Sequence, residues 1–227
     1  MLQKLQGHVR ETTQLSIRYG TNTSEYLVQP TLQNPNISVL SGQTHYREKL
    51  QDRIFRVASP SFFQVNTSQT EDMVMMVKDR LKLSGSEVLV DAYCGVGTFA
   101  ILLARYVKNV IAIEESAAAM KDAAVNTLGI SNMQYLLGKT EDILDGISQS
   151  IDALILDPPR LGCHINTLES VTRIRPKRIV YVSCNPESLA RDLDILASNG
   201  FTIVSIEPVD MFPQTHHVEC IATISLE

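Results

Sequence analysis

The chain has 227 residues with a net charge of −5, and 44% of them are hydrophobic. This length and apolar content predict one large domain, alone or with a fragment of a second, and exclude wholesale disorder. No apolar run approaches the roughly 18 residues of a membrane-spanning helix, and the N-terminal MLQKLQGHVR lacks the apolar stretch of a signal peptide. We therefore expect a cytoplasmic protein without membrane contact.

Residues 1–60 have short polar and apolar alternations of the kind that strands show. Such runs occur at 14–18, 25–28 and 54–57, with turn-forming residues between them. Three short strands cannot close a core by themselves. We expect a small β-rich segment here and assign residues 61–227 to the main domain.

A helical pattern begins near residue 68. Ser68 and Glu71 have the spacing of a capping box, and Val74, Val77 and Leu81 share one face of the helix that would follow. Seven predicted strands come next, at 88–93, 110–114, 133–137, 153–156, 179–183, 202–206 and 218–225.

Helical stretches, such as 187–198, separate most of these strands, and several strands are continuous apolar runs. Both features are typical of a parallel sheet with helices on its two faces. No helix separates 202–206 from 218–225, which favours a final antiparallel strand. The predicted fold is therefore α/β and Rossmann-like, a mostly parallel seven-stranded sheet with an antiparallel last strand and its ligand crevice at the carboxyl ends of the strands.

A glycine-rich turn follows the first strand of this series. Gly95, Gly97 and Ala100 fit the loose dinucleotide-binding pattern, which alone is weak evidence. Asp91 stands just before the turn, where a carboxylate would repel a pyrophosphate and attract the two cations of S-adenosylmethionine. Glu114 ends the next strand, where it can accept hydrogen bonds from both ribose hydroxyls. We favour S-adenosylmethionine over NAD and over a plain turn without ligand.

The four cysteines are Cys94, Cys163, Cys184 and Cys220, and none belongs to a CxxC pair. Neither a zinc site nor a disulfide framework fits this spacing, and we predict no metal. Cys184 follows the strand 179–183 into the crevice and precedes a predicted helix. We expect the N-terminus of that helix to lower the pKa of the thiol.

Two further motifs lie at the same edge of the sheet or near the C-terminus. The sequence DPPR at 157–160 ends a strand; acidic-Pro-Pro sequences at this place are typical of methyltransferases that act on planar bases, and Arg160 in the fourth position disfavours amine methylation. The sequence PVDMFPQTHHVE occupies 208–219. Its two histidines could orient Glu219 or contact a phosphate.

Together these motifs resemble the RNA 5-methyluridine methyltransferases, which use S-adenosylmethionine to modify uridines in tRNA or ribosomal RNA. The resemblance extends from about residue 53 to the end. The matching blocks are 61–66, 91–99, 157–163, 182–186, 191–193 and 210–219.

This resemblance implies a class I methyltransferase fold for 61–227, with residues 1–60 as a remnant of the family's β-rich central domain. The family's N-terminal β-barrel that binds RNA is missing from this sequence, as is the cysteine cluster that holds an iron–sulfur centre in some members. We expect a shortened chain whose partner is an RNA substrate; the sequence predicts no oligomeric state.

The resemblance also implies roles for particular residues. Cys184 would be the nucleophile that adds to C6 of uracil, and Glu219 the base that removes the C5 proton. The residues expected to contact the cofactor are Gln64, Tyr93, Gly95, Glu114 and Asp157.

Some alternatives remain open at this point. Cys163 lies near the position of the catalytic cysteine of cytosine-5 methyltransferases, but Arg160 occupies the place directly after the proline, so a structural role is favoured. Phe62 and Phe63 could stack on a base or belong to the core. Arg160 is a candidate for phosphate or substrate binding. The rival functions are a catalytically silent RNA-binding module with the same fold, a methyltransferase for another pyrimidine or position, and an NAD-dependent oxidoreductase.

Overall fold

The computed structural model describes residues 15–32 and 39–226, and these form eleven strands and six α-helices. The strands, numbered β1 to β11, are Ser16–Tyr19, Tyr26–Gln29, His45–Leu50, Arg53–Ala58, Val88–Ala92, Asn109–Glu114, Met133–Leu137, Ala153–Leu156, Arg178–Ser183, Phe201–Val209 and Glu219–Leu226. The helices, numbered α1 to α6, are Thr67–Leu81, Thr98–Leu103, Ala117–Asn126, Thr140–Ile143, Ile165–Ile174 and Pro186–Ser198.

Seven strands form one sheet in the order β10-β11-β9-β8-β5-β6-β7. The pairs within the block from β9 to β7 are parallel, whereas β11 runs antiparallel to both of its neighbours. The predicted fold class, a mostly parallel seven-stranded sheet with an antiparallel last strand, is confirmed. That last strand lies inside the sheet, because β10 takes the edge and β11 returns between β10 and β9.

The sheet is buried on both faces. All four residues of β8 are inaccessible to solvent, with Ile155 in the apolar cluster on one face and Leu154 in the cluster on the other. Such strands need no polar face, which explains why they read as continuous apolar runs. In the described parts of the chain, no helix is both long and apolar enough to cross a membrane.

The N-terminal strands pair as two hairpins, β1 with β2 and β3 with β4. The strand β3 was not predicted from the sequence, because charged residues alternate along it. Three of its side chains still point inward, and one of them is the carboxylate of Glu48, which accepts hydrogen bonds from the backbone of Thr21 at 2.6 Å and of Asn22 at 3.0 Å. Position 14 of the first predicted run lies outside the described residues.

The hairpin β3–β4 is fastened to α3 by Asp122, whose side chain is fully buried. Its Oδ2 accepts hydrogen bonds from the backbone of Ala58 and from the Ser61 hydroxyl, each at 2.7 Å, while Oδ1 pairs with Arg56. This carboxylate thus fixes the start of the segment that carries Phe62 and Gln64. The division of the chain at residue 60 stays a prediction.

The predicted capping box at the start of α1 is wrong. The N-cap is Asn66, two residues before Ser68, and the Asn66 side chain accepts a hydrogen bond from the backbone of Gln69 at 3.3 Å. Glu71 is not available to complete a box, because its carboxylate accepts a hydrogen bond from the backbone of Gln51 in the turn between β3 and β4.

Candidate active site

A cavity of about 1030 Å³ opens at the carboxyl ends of the parallel strands. It lies where the predicted fold puts a ligand crevice. It is lined by all seven residues to which the resemblance gave a catalytic or cofactor-binding role, namely Gln64, Tyr93, Gly95, Glu114, Asp157, Cys184 and Glu219.

The turn after β5 brings backbone to the cavity wall. Gly95 has a positive φ of 56°, and a Cβ built on it would meet no atom within 4 Å, so its missing side chain leaves room at the cavity. Gly97, with a φ of 91°, is needed for a different reason: its Cβ would lie 2.8 Å from the Cδ1 of Ile101. One glycine therefore leaves space for a ligand, and the other permits close packing of the turn.

Glu114 is held in place by this turn. Its two carboxylate oxygens accept hydrogen bonds from the backbone of Gly95 at 2.8 Å and of Ser116 at 2.7 Å. A carboxylate can accept about four hydrogen bonds, so two positions stay open toward the cavity. Glu114 is thus a pre-oriented acceptor for a pair of hydroxyl groups.

Asp91 differs from its expected placement. Its side chain is fully buried behind the turn rather than in the cavity wall. Oδ2 accepts a hydrogen bond from the backbone of Ala100 at 2.9 Å, while Oδ1 has no partner among the described residues. Burial, assisted by the negative charge of Glu114, raises the pKa of Asp91 to about 7.

The raised pKa makes stability depend on pH. Between the unfolded pKa near 4 and about 7, the folded state keeps a proton that the unfolded state has released, so stability falls as the pH rises through that window. Raising the pH from 5 to 8 should lower the free energy of unfolding of the unmodified protein by about 2 kcal/mol more than that of Asp91→Asn. Urea denaturation at both pH values measures this.

The matched control for that experiment is Asp79→Asn, since the Asp79 side chain is 68% exposed on α1. The control should keep the full pH dependence of the unmodified protein. Equal slopes for Asp91→Asn and the unmodified protein would show that Asp91 is ionised in the folded state at pH 5.

Strand register brings Cys184 and Glu219 together. Cys220 of β11 pairs with Ser183, the last residue of β9. Glu219 precedes Cys220 and Cys184 follows Ser183, so the two residues lie beside the last pair of this ladder, and the charge of Glu219 acts on the Cys184 thiol. Both side chains face the cavity. A thiol and a carboxyl group thus share the same part of its wall.

The expected low pKa of the Cys184 thiol is not what the structure gives. Burial and the negative charge of Glu219 raise this pKa, and Arg160 only partly opposes them. The helix N-terminus offers little compensation, because Pro186 has no N–H and the N–H of Glu187 already binds the Asn185 side chain at 3.0 Å. The sequence predicted a low pKa because the following helix is adjacent to Cys184 in the chain. Glu219, whose charge raises that pKa, is remote in sequence and was not taken into account.

Glu219 is buried, with 6% of its surface exposed, and this burial raises its pKa to about 7. The positive charge of Arg160 lowers that pKa in part. Burial, together with the charges of Asp91 and Glu219, also raises the pKa of Asp157. A carboxyl group with a pKa near neutral can accept a proton in one step and release it in the next.

The two adjacent phenylalanines take different positions. Phe63 is buried and packs against Phe55, with ring centroids 5.8 Å apart. Phe62 is 70% exposed at the cavity mouth. Of these two residues, Phe62 is therefore the one available to stack on a bound group.

Several lining residues were not proposed from the sequence. Glu115, Lys139 and Glu141 are among them, although all three follow strand ends at the same edge of the sheet. Their positions directly after β6 and β7 could have identified them from the sequence, because these strands end at the cavity. Arg191 and Asp192 also reach the cavity, from α6.

The remaining cysteines are all buried. Burial raises the pKa of Cys163 to about 12, and its backbone N–H donates to the carboxylate of Asp192 at 2.7 Å. A thiol with that pKa is a poor nucleophile near neutral pH. Its surroundings agree with a structural role.

Comparison with known proteins gives three findings. Residues 39–226 match the family model described as tRNA (uracil-5-)-methyltransferase. An RNA methyltransferase of Oceanobacillus iheyensis is 40% identical over 194 residues, which are 83% of this chain and 42% of the relative. One from Thermosynechococcus vestitus is 44% identical over 190 residues, 82% of this chain and 42% of the relative.

Among solved structures, this chain is similar to the tRNA (uracil-54, C5)-methyltransferase of Pyrococcus abyssi in complex with S-adenosyl-L-homocysteine. The TM-score is 0.79 at 28% identity, covering 98% of this chain and 66% of that one. The chain spans about 42% of the length of the curated relatives described above.

Proposed function

This chain belongs to the tRNA (uracil-5-)-methyltransferase family, and on that premise we propose that it transfers a methyl group from S-adenosylmethionine to C5 of a uridine in tRNA or ribosomal RNA. The observation that carries the proposal is the strand register that brings Cys184 and Glu219 together in a cavity shared with Gly95 and Glu114.

The proposed chemistry explains why a thiol and a carboxyl group are needed. C5 of uracil is too electron-poor to attack a methyl group. Addition of the Cys184 thiolate to C6 makes C5 an enolate carbon, which can then form the new carbon–carbon bond. S-adenosylmethionine supplies the electrophilic methyl group. Glu219 then removes the C5 proton, and the electron pair of that bond expels Cys184.

The cavity has the features that S-adenosylmethionine requires. Gly95 leaves open space where a side chain would intrude, and Glu114 has open acceptor positions for ribose hydroxyls. Asp157 and Glu219 place two carboxyl groups in the same cavity, and a cationic ligand bound there would favour their ionised forms. Gln64 and Tyr93 line the same space. We assign these residues, Gln64, Tyr93, Gly95, Glu114 and Asp157, to cofactor binding.

The first test is a calorimetric titration with S-adenosylhomocysteine, with NAD as the comparison ligand. We expect binding of the former alone, and a Kd at least about tenfold higher for Glu114→Gln, which loses charge-assisted hydrogen bonds. Glu87→Gln is the matched control. Glu87 also accepts hydrogen bonds from backbone N–H groups, but it lies just before β5 begins, at the end of the strand that is opposite to the cavity. Binding of NAD instead would support an oxidoreductase.

The second test is methyl transfer to transcribed tRNA and ribosomal RNA, with the product nucleosides identified by mass spectrometry. We expect 5-methyluridine. A different methylated nucleoside would move the proposal to another pyrimidine or position. Binding of S-adenosylhomocysteine and of RNA without any transfer would favour the silent RNA-binding module.

A further inference from the structure

Helix α6 begins two residues after Cys184, and this helix and its N-cap Asn185 make three contacts with the loop 157–163. The side chain of Asn185 donates to the carbonyl of Arg160 at 3.1 Å. Arg191 donates to the carbonyl of Leu161 at 2.8 Å, and the Asp192 carboxylate accepts from the backbone of Cys163 at 2.7 Å. The loop that carries Arg160 is thus held by the same helix that follows Cys184.

Asp192 is the buried centre of these contacts. Its side chain is inaccessible to solvent, yet both oxygens are satisfied. Oδ2 accepts from the Tyr181 hydroxyl at 2.6 Å and from the backbone of Cys163, while Oδ1 accepts from Nε and Nη2 of Arg191 at 2.9 and 2.7 Å. A buried carboxylate with charged and neutral donors on both oxygens fixes its partners strongly.

The loop is also shaped to approach this pair. Gly162 has a φ of +81°, and a Cβ there would lie 2.5 Å from Nη2 of Arg191 and 2.6 Å from Oδ2 of Asp192. Any other residue would push the loop away from α6. The backbone of the loop therefore rests directly on the two charged groups.

We propose that Asp192, together with Arg191, is a positioning residue that holds the Arg160 guanidinium next to Cys184 and Glu219; this rests on the roles given to those two residues in the proposed function. Three charged groups act on the Cys184 thiol: Asp157 and Arg160 from the loop and Glu219 from β11. His217, from the segment before β11, lines the same cavity. Arg160 is the cation that favours the thiolate, whereas the two carboxylates oppose it.

The test is the pH dependence of Cys184 alkylation by iodoacetamide, followed by mass spectrometry of the peptide that contains it. This readout needs neither RNA nor cofactor, so it does not depend on whether methyl transfer is observed. We expect Asp192→Asn and Arg160→Gln each to slow alkylation at pH 7.5 by about threefold to tenfold, through a higher apparent pKa of the thiol.

The double variant decides whether Asp192 acts through Arg160. We expect it to be no slower than Arg160→Gln alone, because the second change removes nothing further. Additive effects would overturn the proposal, as would an unchanged alkylation rate in either single variant.

Asp122→Asn is the matched control, because Asp122 is an equally buried carboxylate that holds a different loop. Asp122→Asn should leave the pH profile of Cys184 alkylation unchanged. If it slowed alkylation as much as Asp192→Asn does, the effect of Asp192→Asn would be explained by a general loss of stability and the proposal would be overturned. If Asp192→Asn does not fold, Tyr181→Phe removes one of the four hydrogen bonds without changing the packing. A profile identical to that of the unmodified protein would then overturn the proposal.

Discussion

Replacing Cys184 with alanine is expected to lower methyl transfer to uridine by at least about 10⁴-fold while leaving S-adenosylhomocysteine binding within about twofold. The Sγ atom forms the bond that makes C5 of uracil nucleophilic, and no general base can substitute for it. The other cysteines are buried. Single-turnover transfer of a labelled methyl group, with calorimetry on the same preparation, measures both quantities.

Cys220→Ala is the matched control for this variant. Cys220 is the residue next to Glu219 on β11, it is 9% exposed and it does not line the cavity. It should retain methyl transfer, with a loss of stability of no more than about 1 kcal/mol from the small void. Transfer by Cys184→Ala at more than a hundredth of the normal rate would rule out the covalent route.

Elements set by local sequence could be predicted well. The strand β8 is apolar at every position because both of its faces are covered, and its predicted bounds match the structure. The strand β3 escaped prediction because a buried Glu48 interrupts its apolar face, and only the backbone of a distant turn explains why a carboxylate can lie there. Its partners are 26 and 27 residues away in the sequence.

The site residues could be named from their motifs, but their electrostatics could not. Cys184 was expected to have a low pKa because the following helix is local and visible in the sequence. Glu219, which raises that pKa, lies on another strand, and only the register of β11 against β9 brings it close. The role of Asp192 could not be predicted for the same reason, because it accepts a hydrogen bond from the backbone of Cys163, which is 29 residues away in the sequence.

Glu219→Gln is expected to stop the reaction after methyl transfer and to trap the protein on its RNA. Without a base to remove the C5 proton, Cys184 cannot be expelled, while the addition step does not need the carboxylate. Loss of the negative charge removes one of the causes that raise the pKa of Cys184, so formation of the adduct should not be slowed. A methylated protein–RNA adduct, resistant to denaturing electrophoresis, is the expected observation.

The unmodified protein should show the same block in milder form at low pH. With a pKa of about 7, Glu219 is mostly protonated at pH 6 and cannot accept the C5 proton, so the adduct should be roughly tenfold longer-lived there than at pH 8. Glu207→Gln, a change on the neighbouring strand β10 outside the cavity, should leave this pH dependence intact. Normal release of methylated RNA by Glu219→Gln, with no adduct at either pH, would assign proton removal to another group. The role of the buried Glu219 carboxyl group would then be limited to its electrostatic interaction with Arg160.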